Sequence, residues 1–217
     1  MSYISFQPND YFSTVTYSGT SGTTDVTTGF QPDMVWTKDR GRTETHCLYD
    51  AVRGVTKRIR PDDSAAENTE TAGVSAFNAN GFTTGQQGGS GQDGYNYVSW
   101  NWKMGTTSGL SGGTITPTAY SINAAAGMGI YQYTGTGSAG TIAHGLGKVP
   151  EFIIAKRTSH SGSFVVYHKS IGNAKEFYLN ATDGQSTATA TWNSTTPTST
   201  VWSVGNDQNN TSGYTII

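Results

Sequence analysis

The chain is poor in the residues on which most catalysis, membrane insertion and nucleic-acid binding depend. Of its 217 residues one is a cysteine, Cys47. That excludes an intrachain disulfide framework and any cysteine-based zinc cluster. Charged residues make up only 13 %, and the net charge is −2. The two signs are interleaved: the basic run Lys57-Arg58-Ile59-Arg60 is followed at once by Asp62 and Asp63. This reads as a charged hairpin, not a nucleic-acid surface. No apolar run approaches the ~20 residues of a membrane span. The opening MSYISFQPND has neither the basic stretch nor the apolar core of a secretion signal. The expectation is a protein made in a cytoplasm, with no membrane insertion.

What is abundant is glycine, 28 residues, with aromatics at 12 % and many Thr, Ser and Asn. Too few charges for ordinary disorder, together with enough aromatics for real cores, point to short strands joined by tight turns.

An internal repeat organises the chain. Residues 31–60 align without a gap on residues 149–178. Pro32 meets Pro150, Lys38 meets Lys156, Tyr49 meets Tyr167, Gly54 meets Gly172 and Lys57 meets Lys175, each pair 118 residues apart. Upstream, Tyr17-Ser18-Gly19-Thr20 meets Tyr133-Thr134-Gly135-Thr136, and downstream Gly94-Tyr95 meets Gly213-Tyr214. Each repeat reads as strands, with glycine turns before Val55 and before Asn173. In YNYVSWNW, Val98, Trp100 and Trp102 share one face, which is assigned to the core. Ser64 to Glu67 has capping-box spacing and could form one helical turn. The fold class expected is all-β: two tandem antiparallel β-sandwich, jelly-roll-like repeats. The first spans 1–105 with an N-terminal arm, a Gly/Ser/Thr-rich linker spans 106–126, and the second repeat spans 127–217.

Gly135 to Gly140 spells G-x-G-x-x-G, the dinucleotide fingerprint. That chemistry needs a helix opening inside the motif, and Gly145, Gly147 and Pro150 preclude one. The counterpart stretch Gly19 to Thr24 has lost the pattern, so the motif reads as a glycine turn built twice.

Residues that could carry chemistry are few and scattered. The histidines are His46, His144, His160 and His168, read as solvent-facing strand residues. His46 and Asp50 share a strand face, but their backbones are about 13 Å apart at strand rise. His168 takes the Asp50 position of the other repeat. Asp62 and Asp63 point apart on a turn, although a calcium ion held by them and neighbouring carbonyls stays open. Asp50, Glu67, Glu70 and Asp93, and Glu151, Glu176, Asp183 and Asp207, do not pair across the repeats as a glycosidase would need; only Asp33 and Glu151 correspond. No catalytic residue, cofactor site or metal site is assigned. Cys47 reads as a small core residue. Trp36, aligned with Ile154, and Trp202, aligned with Phe82, are assigned to the core. Trp192 lies in the loop-like ATWNSTTPTST and is the candidate ligand or partner contact, since an exposed aromatic face suits sugars and proteins alike; packing beneath the loop is the competing reading.

The phrases FQPDMVWTKDR, YDAVRGVTKRI, FNANGFTTG and YVSWNW resemble a repeat domain of virion proteins from marine tailed phages, including cyanophages. The later YTGTGSAGTIAHGLGKVPEFIIAKR, VVYHKSIGNAKEFYLN and WNSTTPTSTVWSVG do so too. The resemblance runs from about Phe6 to the last residue. It implies a non-enzymatic β-rich module of a tail fibre, receptor-binding appendage or capsid decoration. Its partners would be other virion proteins and a host-surface glycan; low charge and abundant small polar residues, with the gain that weak adhesive sites draw from multivalency, add the expectation of a homo-oligomer, most simply a trimer. A carbohydrate-binding module or a polysaccharide depolymerase is the alternative. The second repeat reaches Ile217, which aligns with Val98, and shows no counterpart of Ser99 to Lys103. A strand completed by further residues, or by a neighbouring subunit, is the expectation.

Overall fold

The computed structural model describes residues 7–217. Its described residues form antiparallel strands and one short 3-10 turn, Pro8–Asp10, with no α-helix. They fall into two compact units. The first holds the described residues up to Arg60 together with Asn68–Gly105; the second holds Pro61–Glu67 and Thr106–Ile217.

The first unit has nine strands: β1 Phe12–Ser18, β2 Thr24–Thr27, β3 Met34–Asp39, β4 Cys47–Asp50, β5 Gly54–Ile59, β6 Asn68–Thr69, β7 Val74–Asn78, β8 Gly81–Thr84 and β9 Asn96–Trp102. They make a six-stranded sheet, β1-β9-β3-β4-β5-β6, and a three-stranded sheet, β2-β8-β7. One core draws on both sheets: Val26, Val35, Cys47, Tyr49, Val74 and Phe82. Alternation produces it. Along β3, Val35, Thr37 and Asp39 are buried while Met34, Trp36 and Lys38 are only partly so.

The second unit has β10 Ala119–Asn123, β11 Met128–Thr134, β12 Gly140–Ala143, β13 Phe152–Ala155, β14 Val165–His168, β15 Lys175–Tyr178, β16 Ser186–Thr187, β17 Val201–Val204 and β18 Thr215–Ile216. Here the sheets are β10-β11-β18, β12-β17 and β13-β14-β15-β16. Tyr133, Ile142, Ala155, Val165, Tyr167, Trp192, Trp202, Val204 and Ile216 form most of its core.

Pairings of the first unit recur in the second at the offset read from sequence. Val35 faces Tyr49 as Ile153 faces Tyr167. Val26 faces Phe82 as Ile142 faces Trp202. Lys57 Nζ donates to Thr69 Oγ1 at 3.0 Å, and Lys175 Nζ to Thr187 Oγ1 at 2.9 Å. The Tyr17 hydroxyl donates to the Ser90 carbonyl at 2.5 Å, and that of Tyr133 to the Asn209 carbonyl at 2.6 Å. Gly54 and Gly172 both have positive φ, 95° and 83°, which explains glycine at that turn in each.

Several expectations change. Residues 106–126 belong to the second unit and contain β10, which pairs along β11. Ser64–Glu67 forms no helical turn; Asp63 Oδ1 accepts the Ala65 N–H at 2.6 Å instead. In β9 the buried face is Tyr97, Ser99 and Asn101, while Val98, Trp100 and Trp102 are half-buried on the other. Trp100 and Trp36 meet there at 6.2 Å between ring centroids, and Trp102 meets Phe12 at 5.2 Å. Trp36 is thus part of an outer aromatic band rather than the core; its indole N–H donates to His46 Nδ1 at 2.8 Å. A period of two separates faces without saying which is inward. Ser99 and Asn101 go inward: Asn101 Nδ2 donates to Ser99 Oγ and to the Ser13 carbonyl, while Asn101 Oδ1 is buried without a hydrogen-bond partner.

Candidate functional site

The stretch Asp50-Ala51-Val52-Arg53-Gly54 is structural. Asp50 closes the turn before Gly54: Oδ1 accepts the Arg53 N–H at 2.8 Å and Oδ2 pairs with Arg53 Nε at 2.6 Å, both side chains 1 % exposed. His168 does the same for the second unit, its Nδ1 accepting the Ser170 N–H at 3.1 Å. The buried Asp39 pairs with the partly exposed Arg42 at 2.6 Å. Burial alone would raise the Asp39 carboxyl, but the N–H groups of Gly41 and Arg42 and the guanidinium hold it below its usual range. The Arg42 guanidinium lies 3.3 Å from the Tyr95 ring centroid. At the matching position His160 stacks on Tyr214, 3.7 Å between centroids.

His144 is fully buried, contrary to the solvent-facing reading. Its Nδ1 accepts the Leu146 N–H and its Nε2 lies 3.1 Å from the Thr198 carbonyl. An acceptor at Nδ1 makes Nε2 the protonated nitrogen, so the ring is neutral. Burial pushes its pKa down, and the Thr198 bond opposes this only in part.

Two carboxylates that sequence position left unpaired meet over one hydroxyl. Thr191 Oγ1 lies 2.7 Å from Glu176 Oε2 and 2.9 Å from Asp207 Oδ2. The Tyr178 hydroxyl donates to Glu176 Oε1 at 2.8 Å. That bond, with burial and the charges of Glu176 and Asp207, pushes the Tyr178 phenol up to about 12. Residues 31 apart cannot be matched by period, so the sequence held no signal for this pair. Among the described residues no group of three or more His, Cys, Asp or Glu is placed to hold a metal ion.

Trp192 is not an exposed platform. It is 2 % exposed and lies in the core of the second unit, edge-on to Tyr167 at 5.8 Å. The competing reading, an anchor beneath the loop, is what the structure contains, because the indole buries more apolar area than any other side chain in that loop. What the loop presents is the next two residues. Asn193 and Ser194 are exposed and both left-handed, φ 51° and 45°. Two consecutive non-glycine residues there are strained and held by their surroundings.

Asn193 lines a shallow polar recess with Gly137, Ser138, Ala139, Ala190, Gly205 and Asn206. Its wall is the G-x-G-x-x-G turn. The fully buried Asn210 fixes that turn: Nδ2 donates to the Ser138 and Gly205 carbonyls, both at 2.6 Å, and Oδ1 accepts the Thr136 N–H at 2.9 Å. Gly205 is tight because a Cβ would run into the Ala190 carbonyl. The recess therefore offers backbone groups and short amides on a rigid frame. Such a surface, whose lining residues carry no charge, suits a hydroxyl-rich ligand.

The geometry defines an all-β protein of antiparallel sheets with an open polar recess at one group of loops. A family model described as a domain of unknown function (DUF7483) matches residues 7–217, and the chain belongs to that family. No curated protein and no solved structure matches it. Among the described residues no helix is long and apolar enough to cross a membrane.

Proposed function

We propose that this chain is a non-enzymatic structural component of a tailed-phage virion, most simply of a tail fibre or receptor-binding appendage. Each repeat is a jelly-roll-like sandwich, the assembly is a homo-oligomer such as a trimer, and the recess beside Asn193 contacts a host-surface glycan. The sequence resemblance supports the virion role. The observation that carries the glycan contact is the strained, exposed Asn193–Ser194 pair pinned over the buried Trp192 at the edge of that recess. Strain held at an exposed polar rim is a mark of a preset ligand geometry. Repetition of weak sites in an oligomer would raise avidity.

Glycan-array binding by the intact chain tests the contact, with Asn193→Gly, which keeps the backbone and removes the amide, as the comparison. Retention of a glycan without turnover, weakened at least tenfold in Asn193→Gly, is expected. Equal binding by both proteins refutes the contact, and release of shortened glycan makes the protein a depolymerase. Labelled antibody on intact virions tests location: decoration of tails is expected, decoration of heads makes it a capsid protein, and unlabelled particles overturn the virion role.

A further inference from the structure

The loop after β13 inverts the charge of its counterpart after β3. In the first unit Asp39 accepts the N–H groups of Gly41 and Arg42 and pairs with the Arg42 guanidinium, which lies over Tyr95. In the aligned repeat Asp39 becomes Arg157, Arg42 becomes His160 and Tyr95 becomes Tyr214. The ring is kept and the carboxylate is gone. Arg157 is half-buried, and its Nε is buried without a hydrogen-bond partner. Nη2 reaches Gln208 Oε1 only at 3.4 Å, longer than the ~2.8 Å of a charge-assisted bond, and that oxygen also accepts the Ser163 N–H at 3.1 Å. Nη1 bonds to none of the described residues, and no Asp or Glu among them pairs with this guanidinium. Asp207, which adjoins Gln208, is turned to Thr191 Oγ1 and to the Gln208 N–H. A partly desolvated cation without a counter-ion is costly, which makes this fork a place for an anion from outside the chain.

We propose that Arg157, with His160 on the same Tyr214 ring, binds an oxyanion group: the carboxylate or sulfate of an acidic sugar, or an inorganic anion of the same chemistry. The frame is preset. Gly162 lies against the guanidinium, and a Cβ there would strike Nη2 and Nε. The Gly162 carbonyl accepts Lys156 Nζ at 2.6 Å and its N–H donates to the Ser64 carbonyl at 2.8 Å, so the loop is pinned on both sides. With Nε enclosed there, the oxyanion meets the Nη1–Nη2 end of the fork, which suits two parallel N–H···O bonds. Arg157 Cζ lies 5.7 Å from the Tyr214 ring centroid. His160 lies flat on that ring, 3.7 Å between centroids and 7° between planes. Ser159 Oγ, which accepts the Thr215 N–H at 3.1 Å, holds His160 Nδ1 at 2.9 Å. His160 is exposed, so the face it turns away from Tyr214 can take the C–H side of a sugar that bears the anion. None of these residues lines the recess beside Asn193, and the inference does not rest on the glycan contact there.

The test is a series of proton–nitrogen NMR titrations of the intact chain with sodium sulfate, sodium glucuronate and glucose, at an ionic strength held constant with sodium chloride. Burial protects the Arg157 Nε–H from solvent exchange, so its signal reports on the site directly. That signal and the amides of Ser159, His160 and Gln208 should shift and saturate with sulfate and with glucuronate. Glucose should leave them in place, and the amides of β8 should not move with any of the three. Tighter binding of glucuronate than of sulfate identifies an anion carried by a sugar; the reverse order identifies a free inorganic anion. Arg157→Gln should weaken both anions at least tenfold, and Arg157→Lys, which keeps the charge and loses the fork, should fall between. Absence of a saturating shift with either anion in the parent chain overturns the proposal. So does binding by Arg157→Gln or Arg157→Lys as tight as by the parent.

Discussion

Truncating Trp192 separates a structural anchor from a ligand platform by its effect on stability. An aromatic side chain of this size buries roughly 150–250 Å². At about 25 cal/mol per Å² that is about 4–6 kcal/mol, an upper value because unfolded chains already bury some of it. One term opposes: the Trp192 indole N–H is buried without a hydrogen-bond partner, which costs roughly 1–3 kcal/mol. The Ala variant loses the burial and leaves a cavity against Tyr167, but is freed of the unpaired N–H. The expected net loss for Trp192→Ala is about 3–5 kcal/mol, in line with other buried aromatic truncations. Trp192→Phe should cost less, about 1–2 kcal/mol, because it retains much of the packing and also removes the unpaired donor. Urea unfolding of the intact chain, followed by the remaining tryptophan fluorescence and by circular dichroism, measures both. A loss below about 1 kcal/mol for Trp192→Ala would refute the anchor role, and Phe costing as much as Ala would refute the term assigned to the N–H.

Three other substitutions probe named contacts. Asp50→Asn leaves the Arg53 guanidinium buried beside a neutral amide, and urea unfolding should register a loss of about 3–5 kcal/mol; the Asp50→Asn, Arg53→Met double variant should recover part of it. His144 titrates at lower pH folded than unfolded. The unfolded chain therefore takes up this proton first, and the stability it contributes is present above the unfolded pKa of ~6.5 and lost as pH falls below that toward the folded value. The urea midpoint should drop from pH 7.5 to pH 5, and should drop less in His144→Phe. Asn193→Gly relieves a left-handed residue and should be neutral to stabilising by up to about 1 kcal/mol in thermal unfolding, whereas Asn193→Val should destabilise.

The sequence by itself determined the strand content, the repeat and the turns. Gly54 and Gly172, or Lys57 and Lys175, could be matched because a positive-φ turn and a cross-strand bond each demand the same residue at the same spacing. It also disposed of the dinucleotide reading, since breakers after Gly140 forbid the helix that reading needs. Only tertiary structure decided what faces inward. Alternation put Trp100 and Trp102 together, but Ser99 and Asn101 took the interior, on the same face of β9 as the buried Tyr97. Trp192 looked loop-borne and exposed; it is core, because the loop's only large apolar group goes where the area is, and its strained neighbours line the recess instead. Glu176 of β15 and Asp207, in the turn after β17, meet over Thr191 only through folding. Local pattern records which residues alternate. Which edge meets which, and which polar group finds a partner, is set by contacts far apart in the chain.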